Sequence, residues 1–100
     1  MTHQKTLGLL GVIAMTALAA PVQADPHVRG MTATCFTCHG MNGKSATIVP
    51  SLAGMNKDYF VMQMKNFAAG TRPATLMRQH AEGYTEAEFQ QMADFFAAQK

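Results

Sequence analysis

Cys35, Cys38 and His39 are the residues of this chain whose types and spacing can do chemistry. In Cys35-Phe36-Thr37-Cys38-His39-Gly40 the two thiols are separated by one helical turn. That spacing lets both add to the vinyl groups of a single porphyrin, forming two thioethers. The histidine that follows is then held beneath the ring with an imidazole nitrogen at the iron. The pattern C-x-x-C-H is the attachment signature of a c-type haem. Gly40 has no Cβ, so the backbone can turn sharply against the macrocycle.

Other uses of paired cysteines fit less well. A structural zinc site needs two further thiols or imidazoles at ligand spacing. Cys35 and Cys38 are the only cysteines, and His3, His27 and His80 form no H-x3–5-H pair. A thioredoxin-like C-x-x-C belongs in a βαβ setting, and no strand alternation surrounds this one. A plain disulfide leaves His39 without a role.

The elements that must position this motif begin after residue 24. Lys5 is a positive n-region, Leu7 to Ala20 is an apolar run without a charge, and Val22-Gln23-Ala24 ends it like a cleavage site. The run is too short to span a bilayer, so residues 1–24 are expected to be a secretory signal peptide. Export to the periplasm fits the motif, because c-type haem is attached outside the cytoplasm. The mature chain is then one small domain, residues 25–100. At that size a core of side chains alone is marginal, and with both cysteines committed the haem is expected to centre it.

Charge excludes one class of partner. Eight Lys/Arg stand against six Asp/Glu in the chain, a net charge of +2 that falls to about +1 once Lys5 is removed. With no basic run and no aromatic ladder, there is no case for nucleic acid. No membrane span is expected in residues 25–100.

Three helices and no strands are legible. Pro26 to Cys38 reads as the first, with Asp25 as N-cap and Pro26 at the first helical position. Gly30 in its interior marks either a close approach of another helix or a tolerated surface glycine. Asn56 caps a second helix from Lys57 to Ala69, ended by Gly70, whose Phe60, Met64, Phe67 and Ala68 form one apolar stripe. Thr85-Glu86-Ala87-Glu88 is a capping box that opens a last helix to about Ala98. Phe89, Met92, Ala93 and Phe96 are its buried face. Between them, Met41 to Ser45 is turn-rich, and Ile48 to Gly54 is an irregular loop across the haem edge. The carbonyl of Pro50 is a candidate acceptor for the outer N–H of His39, although Pro50 also reads as an ordinary loop proline. The fold expected is all-α.

The sixth position on the iron needs a residue far from His39. Seven methionines follow residue 24: Met31, Met41, Met55, Met62, Met64, Met77 and Met92. Met64 and Met92 lie on core faces, Met31 lies in the first helix, and Met41 is too close to the proximal side. Methionine is a common gap-filler in cores. Met77 follows a Pro-containing loop able to swing across the distal face and is favoured; His80 and Met55 remain as alternatives. The choice matters, since Met/His ligation raises the potential relative to bis-histidine.

The series Cys35-to-Gly40, Pro50-Ser51-Leu52-Ala53-Gly54, Tyr59-Phe60, Phe67-x-x-Gly70-x-Arg72, Thr75-x-Met77 and Ala81-x-Gly83-Tyr84-Thr85-x-x-Glu88 resembles the small class I c-type cytochromes. It looks most like the cytochrome subunit of flavocytochrome c sulfide dehydrogenase, and also like one half of the di-haem periplasmic cytochromes. The likeness covers nearly all of residues 25–100. It implies the class I cytochrome c fold, with three main helices around one covalent haem c. It implies Cys35 and Cys38 as the thioether positions, His39 as proximal ligand, Met77 as distal ligand, and Pro50 as the residue whose carbonyl accepts from His39. It implies a crossing of the first and last helices near Gly30 or Met31 and Phe95 or Phe96. The departures, at Arg78, Gln79, His80 and Glu82, bear on the partner surface rather than on ligation.

The function expected is that of an exported mono-haem electron carrier and not an enzyme, since the protein itself fills both axial positions. The resemblance implies a sulfide-oxidising flavoprotein as the electron donor. The alternatives are a free periplasmic shuttle between other redox proteins and a haem-based ligand sensor in which a gas displaces Met77.

Overall fold

A computed structural model describes residues 8, 11–18 and 25–100. The expected signal peptide lies largely outside the described residues, its Val22-Gln23-Ala24 end included. The described part of its apolar run, residues 11–18, forms no helix, and Val12, Ile13, Met15 and Leu18 stand almost fully exposed. No helix among the described residues is long and apolar enough to cross a membrane.

The described chain is all-helical: α1 spans Pro26–His39, a 3₁₀ turn spans Met41–Gly43, α2 spans Lys57–Ala69, α3 spans Met77–Glu82 and α4 spans Glu86–Ala97. The caps read from the sequence hold three of these helices. The Asp25 carboxylate accepts from the His27 amide at 2.7 Å, and Asn56 Oδ1 accepts from the Tyr59 amide at 3.0 Å. Thr85 and Glu88 bond reciprocally, at 3.2 Å from the Glu88 amide and 2.9 Å from the Thr85 amide. Each satisfies amides that the helix itself leaves without acceptors.

The fourth helix, α3, is additional to the three expected. Its N-cap is Leu76, whose side chain makes no capping bond, so neither a cap residue nor a full apolar period announces it. α3 packs on α2, and α4 packs on both α1 and α2.

The core gathers on α4. Met92 and Phe96 are wholly buried, with Ala93 and Phe89 almost so, which is the face that the i, i+3, i+4, i+7 pattern selects. Phe60, Val61 and Met64 of α2, Ala81 of α3 and Met31 of α1 complete it. Thr32 is also fully buried, and its hydroxyl donates to the Val28 carbonyl at 2.9 Å. That bond removes the cost of an unpaired buried hydroxyl.

Of the residues expected where α1 and α4 cross, Met31, Phe95 and Phe96 pack in or against the core, whereas Gly30 does not, and Phe36 adds a contact further along α1. Phe36 meets Phe95 with ring centroids 6.2 Å apart and Phe96 at 6.4 Å. Gly30 is exposed, and a Cβ built there meets nothing within 4 Å. A bulky ring at Phe36 holds the helices together where a glycine would have let their backbones approach. Met31 remains a core residue.

Candidate haem site

The last turn of α1 presents the motif. Cys35 is half-buried against the core and Cys38 is exposed; both thiols are free. Burial pushes the Cys35 thiol above its ordinary range. His39 is buried.

The His39 ring is fixed by one bond. Nδ1 lies 2.6 Å from the carbonyl oxygen of Pro50. A carbonyl only accepts, so Nδ1 carries the proton and Nε2 of the neutral ring keeps its lone pair. No protein group among the described residues engages Nε2.

The loop that brings Pro50 to His39 is itself held at two points. The Gly43 carbonyl accepts from the amides of Leu52 at 2.8 Å and Ala53 at 3.1 Å. The Phe96 carbonyl accepts from the Gly54 amide at 2.8 Å. The carbonyl facing His39 therefore hangs from the turn that follows the motif and from the end of α4.

Two glycines make this return possible. Gly40 has φ +85°, and a Cβ there would collide with the Lys44 carbonyl. The constraint expected to come from the macrocycle is thus already imposed by the chain's own loop. Gly43 has φ +81°, and its Cβ would lie 2.8 Å from Phe96 Cδ1, 2.9 Å from the Ala53 nitrogen and 3.0 Å from Leu52 Cβ. Gly43 was legible only as part of the turn-rich stretch Met41 to Ser45; its burial against Phe96 depends on the tertiary fold.

The remaining candidates divide by burial. Met77, the first residue of α3, is half-buried and packs against the core, as does Met55. His80 is exposed. Met31, Met64 and Met92 are buried in the core, whereas Met41 and Met62 are exposed.

The arrangement fits a covalently bound haem. Two free thiols stand one turn apart, next to an imidazole whose Nδ1 is satisfied and whose Nε2 is unengaged. The segments carrying Pro50 and Met77 also leave apolar side chains uncovered: Ile48 is fully exposed and Leu76 is 58% exposed. No three of His, Cys, Asp or Glu come together as a metal-binding group among the described residues.

No protein-family model matches the chain. Among curated proteins, the cytochrome subunit of sulfide dehydrogenase from Chlorobaculum tepidum is 35% identical over 66 residues, which is 66% of this chain and 60% of that protein. Cytochrome c4 from Pseudomonas aeruginosa is 33% identical over 96 residues, 95% of this chain and 45% of the relative. The thiosulfate dehydrogenase electron acceptor of Thiomonas intermedia is 30% identical over 102 residues, covering all of this chain and 45% of the relative. The matches thus span 60% of the length of the first of these relatives and less than half of the other two. With an all-helical fold, a haem-attachment turn and relatives of this kind, the chain belongs to the class I c-type cytochromes and takes haem c as its covalently bound cofactor.

Proposed function

We propose that this chain is a mono-haem electron carrier of the periplasm, exported by a signal peptide over residues 1–24, with residues 25–100 as its functional domain. Cys35 and Cys38 would hold the haem through thioethers, and His39 Nε2 and the Met77 sulfur would be the two protein ligands to its iron. The observation that supports the reading is the hydrogen bond from His39 to Pro50, which holds the ring and leaves Nε2 free of a proton to ligate a metal. When bound, the haem supplies one-electron chemistry between ferric and ferrous iron. The chain's residues fix its axial ligands and exclude a substrate from the metal, which is the role of a carrier and not of an enzyme. A thioether sulfur opposite the imidazole favours the reduced state more than a second imidazole does.

The donor we assign is a sulfide-oxidising flavoprotein, a reading supported by the likeness to the cytochrome subunit of sulfide dehydrogenase. A free periplasmic shuttle is the second reading, favoured by the likeness to a thiosulfate dehydrogenase electron acceptor. The test is to express the chain with a cytochrome c maturation system and record the ferrous spectrum with and without carbon monoxide. A carrier with both axial positions filled shows no change, whereas ready binding of carbon monoxide overturns the reading in favour of a gas sensor. Reduction of the ferric protein by sulfide in the presence of a purified flavoprotein sulfide dehydrogenase, at a rate that saturates with the flavoprotein, then separates the bound subunit from the free shuttle.

A further inference from the structure

Thr34 precedes the first motif cysteine, and Tyr84 lies seven residues beyond Met77, yet their hydroxyls meet at 3.1 Å. The direction of that bond is fixed. The single proton of Thr34 Oγ1 is donated to the Met31 carbonyl at 2.7 Å, so the Tyr84 phenol must be the donor to Thr34. Thr34 Oγ1 also lies 4.0 Å from Cys35 Sγ. At the other end, the Tyr84 amide donates to the carbonyl of Ala81 at 3.3 Å, and Ala81 is the fully buried residue of α3. Tyr84 packs against the core with its ring. One residue thus joins the backbone of α3 to the turn of α1 that carries Cys35.

This tie stands where packing gives little help. α3 packs on α2, while α1 makes its helix contact with α4. Among the described residues, the only other polar side-chain link from α1 to the last third of the chain is His27 with Glu88, 3.8 Å apart at the far end of α1. The separation between Cys35 and Met77 therefore rests on the Thr34–Tyr84 bond more than on any other polar contact near them.

We propose that the Tyr84–Thr34 hydrogen bond is a clasp that positions Met77 relative to the haem-attachment turn. Tyr84 and Thr34 are positioning residues, acting on the axial methionine through α3. The inference rests on the ligation reading above, and its test keeps the two apart. Loss of one partly exposed hydrogen bond loosens the methionine by the worth of that bond, a change of about two- to fivefold in its competition with an added ligand.

The experiment titrates the ferric holoprotein with imidazole and follows the far-red methionine–iron band as imidazole replaces Met77. Tyr84→Phe, which keeps the ring, should bind imidazole about two- to fivefold more tightly than wild type. Thr34→Val should do the same, Thr34→Ser should restore the wild-type affinity, and the double variant Thr34→Val, Tyr84→Phe should go no further than either single change. If the wild type has the methionine band and Tyr84→Phe binds imidazole as the wild type does, the clasp is wrong and the ligation stands. An additive double variant likewise overturns it. Absence of the band from the wild type removes the ligation reading, and the clasp with it.

Discussion

The Nδ1 proton of His39 is given to the carbonyl of Pro50, across 2.6 Å and eleven residues of chain. That single bond joins the end of α1 to a loop with no regular structure. It also decides the tautomer, because the donor nitrogen is no longer available to a metal. The loop earns its rigidity elsewhere, from Gly43 and from the end of α4.

Pro50→Ala should therefore change the reduction potential of the holoprotein only modestly. The carbonyl survives the substitution, and the anchors at Leu52, Ala53 and Gly54 are untouched. What is lost is local stiffness, worth about 1 kcal/mol of stability at most. Potentiometry on the variant is the check, and a shift as large as that from replacing an axial ligand would sink the orienting role assigned to Pro50.

Gly43→Ala should do far more damage than Pro50→Ala. Alanine is strained at φ +81°, and its methyl would press on Phe96, Leu52 and the Ala53 amide together. Strain at such a position costs about 1–3 kcal/mol before any clash is counted. Thermal denaturation of the holoprotein should show a clear loss of stability; an unchanged midpoint would mean that the turn can move away from Phe96.

Much of this was legible in the sequence because the determinants are local. Asp25, Asn56, and Thr85 with Glu88 announce their helices through bonds spanning two or three residues. The face of α4 follows from its period. α3 is not announced because Leu76 offers no capping bond and six residues are too few for the i, i+3, i+4, i+7 pattern. The meeting of Phe36 with Phe95 and Phe96, the burial of Gly43, and the Thr34–Tyr84 bond are tertiary facts. Each depends on which residues meet across fifty or so positions, and composition does not reveal that.

Replacing both motif cysteines with alanine should yield no holoprotein and a chain without a cooperative unfolding transition. The buried apolar side chains are few for a domain of this length, and the apolar surface left at Ile48 and Leu76 has no protein cover. Small domains with so little core depend on a cofactor or cross-link. Circular dichroism melting checks this, and recovery of a sharply melting apo domain would contradict the central place given to the haem.

The α4 capping box should make stability depend on pH in acid. The Glu88 carboxyl is held below its usual range first by the Thr85 backbone amide, against an opposing effect of burial, with lesser lowering from the Thr85 hydroxyl and from His27. A carboxyl that binds its proton less readily when folded stabilises the fold above the ordinary carboxylate range. That contribution fades as the pH falls through the lowered folded value. Glu88→Gln should flatten this part of the pH–stability curve, measured by denaturant unfolding between neutral and acid pH. Thr85→Ala should cost about 1 kcal/mol at neutral pH. An acid limb unchanged in Glu88→Gln would exclude the cap as its source.

Met77 and His80 offer the last test, because they sit within one short helix yet differ in exposure. Residues three apart on a helix share a side of it, so His80 stands close to the position from which Met77 would reach the iron. In the structure Met77 is half-buried against the core and the His80 imidazole is exposed. Met77→Ala removes the sulfur, and α3 begins without a side-chain cap, so its first turn can unwind at little cost and bring His80 inward. The variant should then be low-spin, lacking the far-red methionine band, with a potential well below that of the wild type. Met77→Ala with His80→Ala should be high-spin and bind carbon monoxide readily, since no ligand remains in reach. His80→Ala alone should keep the band and the wild-type potential. If instead the band disappears in His80→Ala, or persists in Met77→Ala, then Met77 is not the sixth ligand.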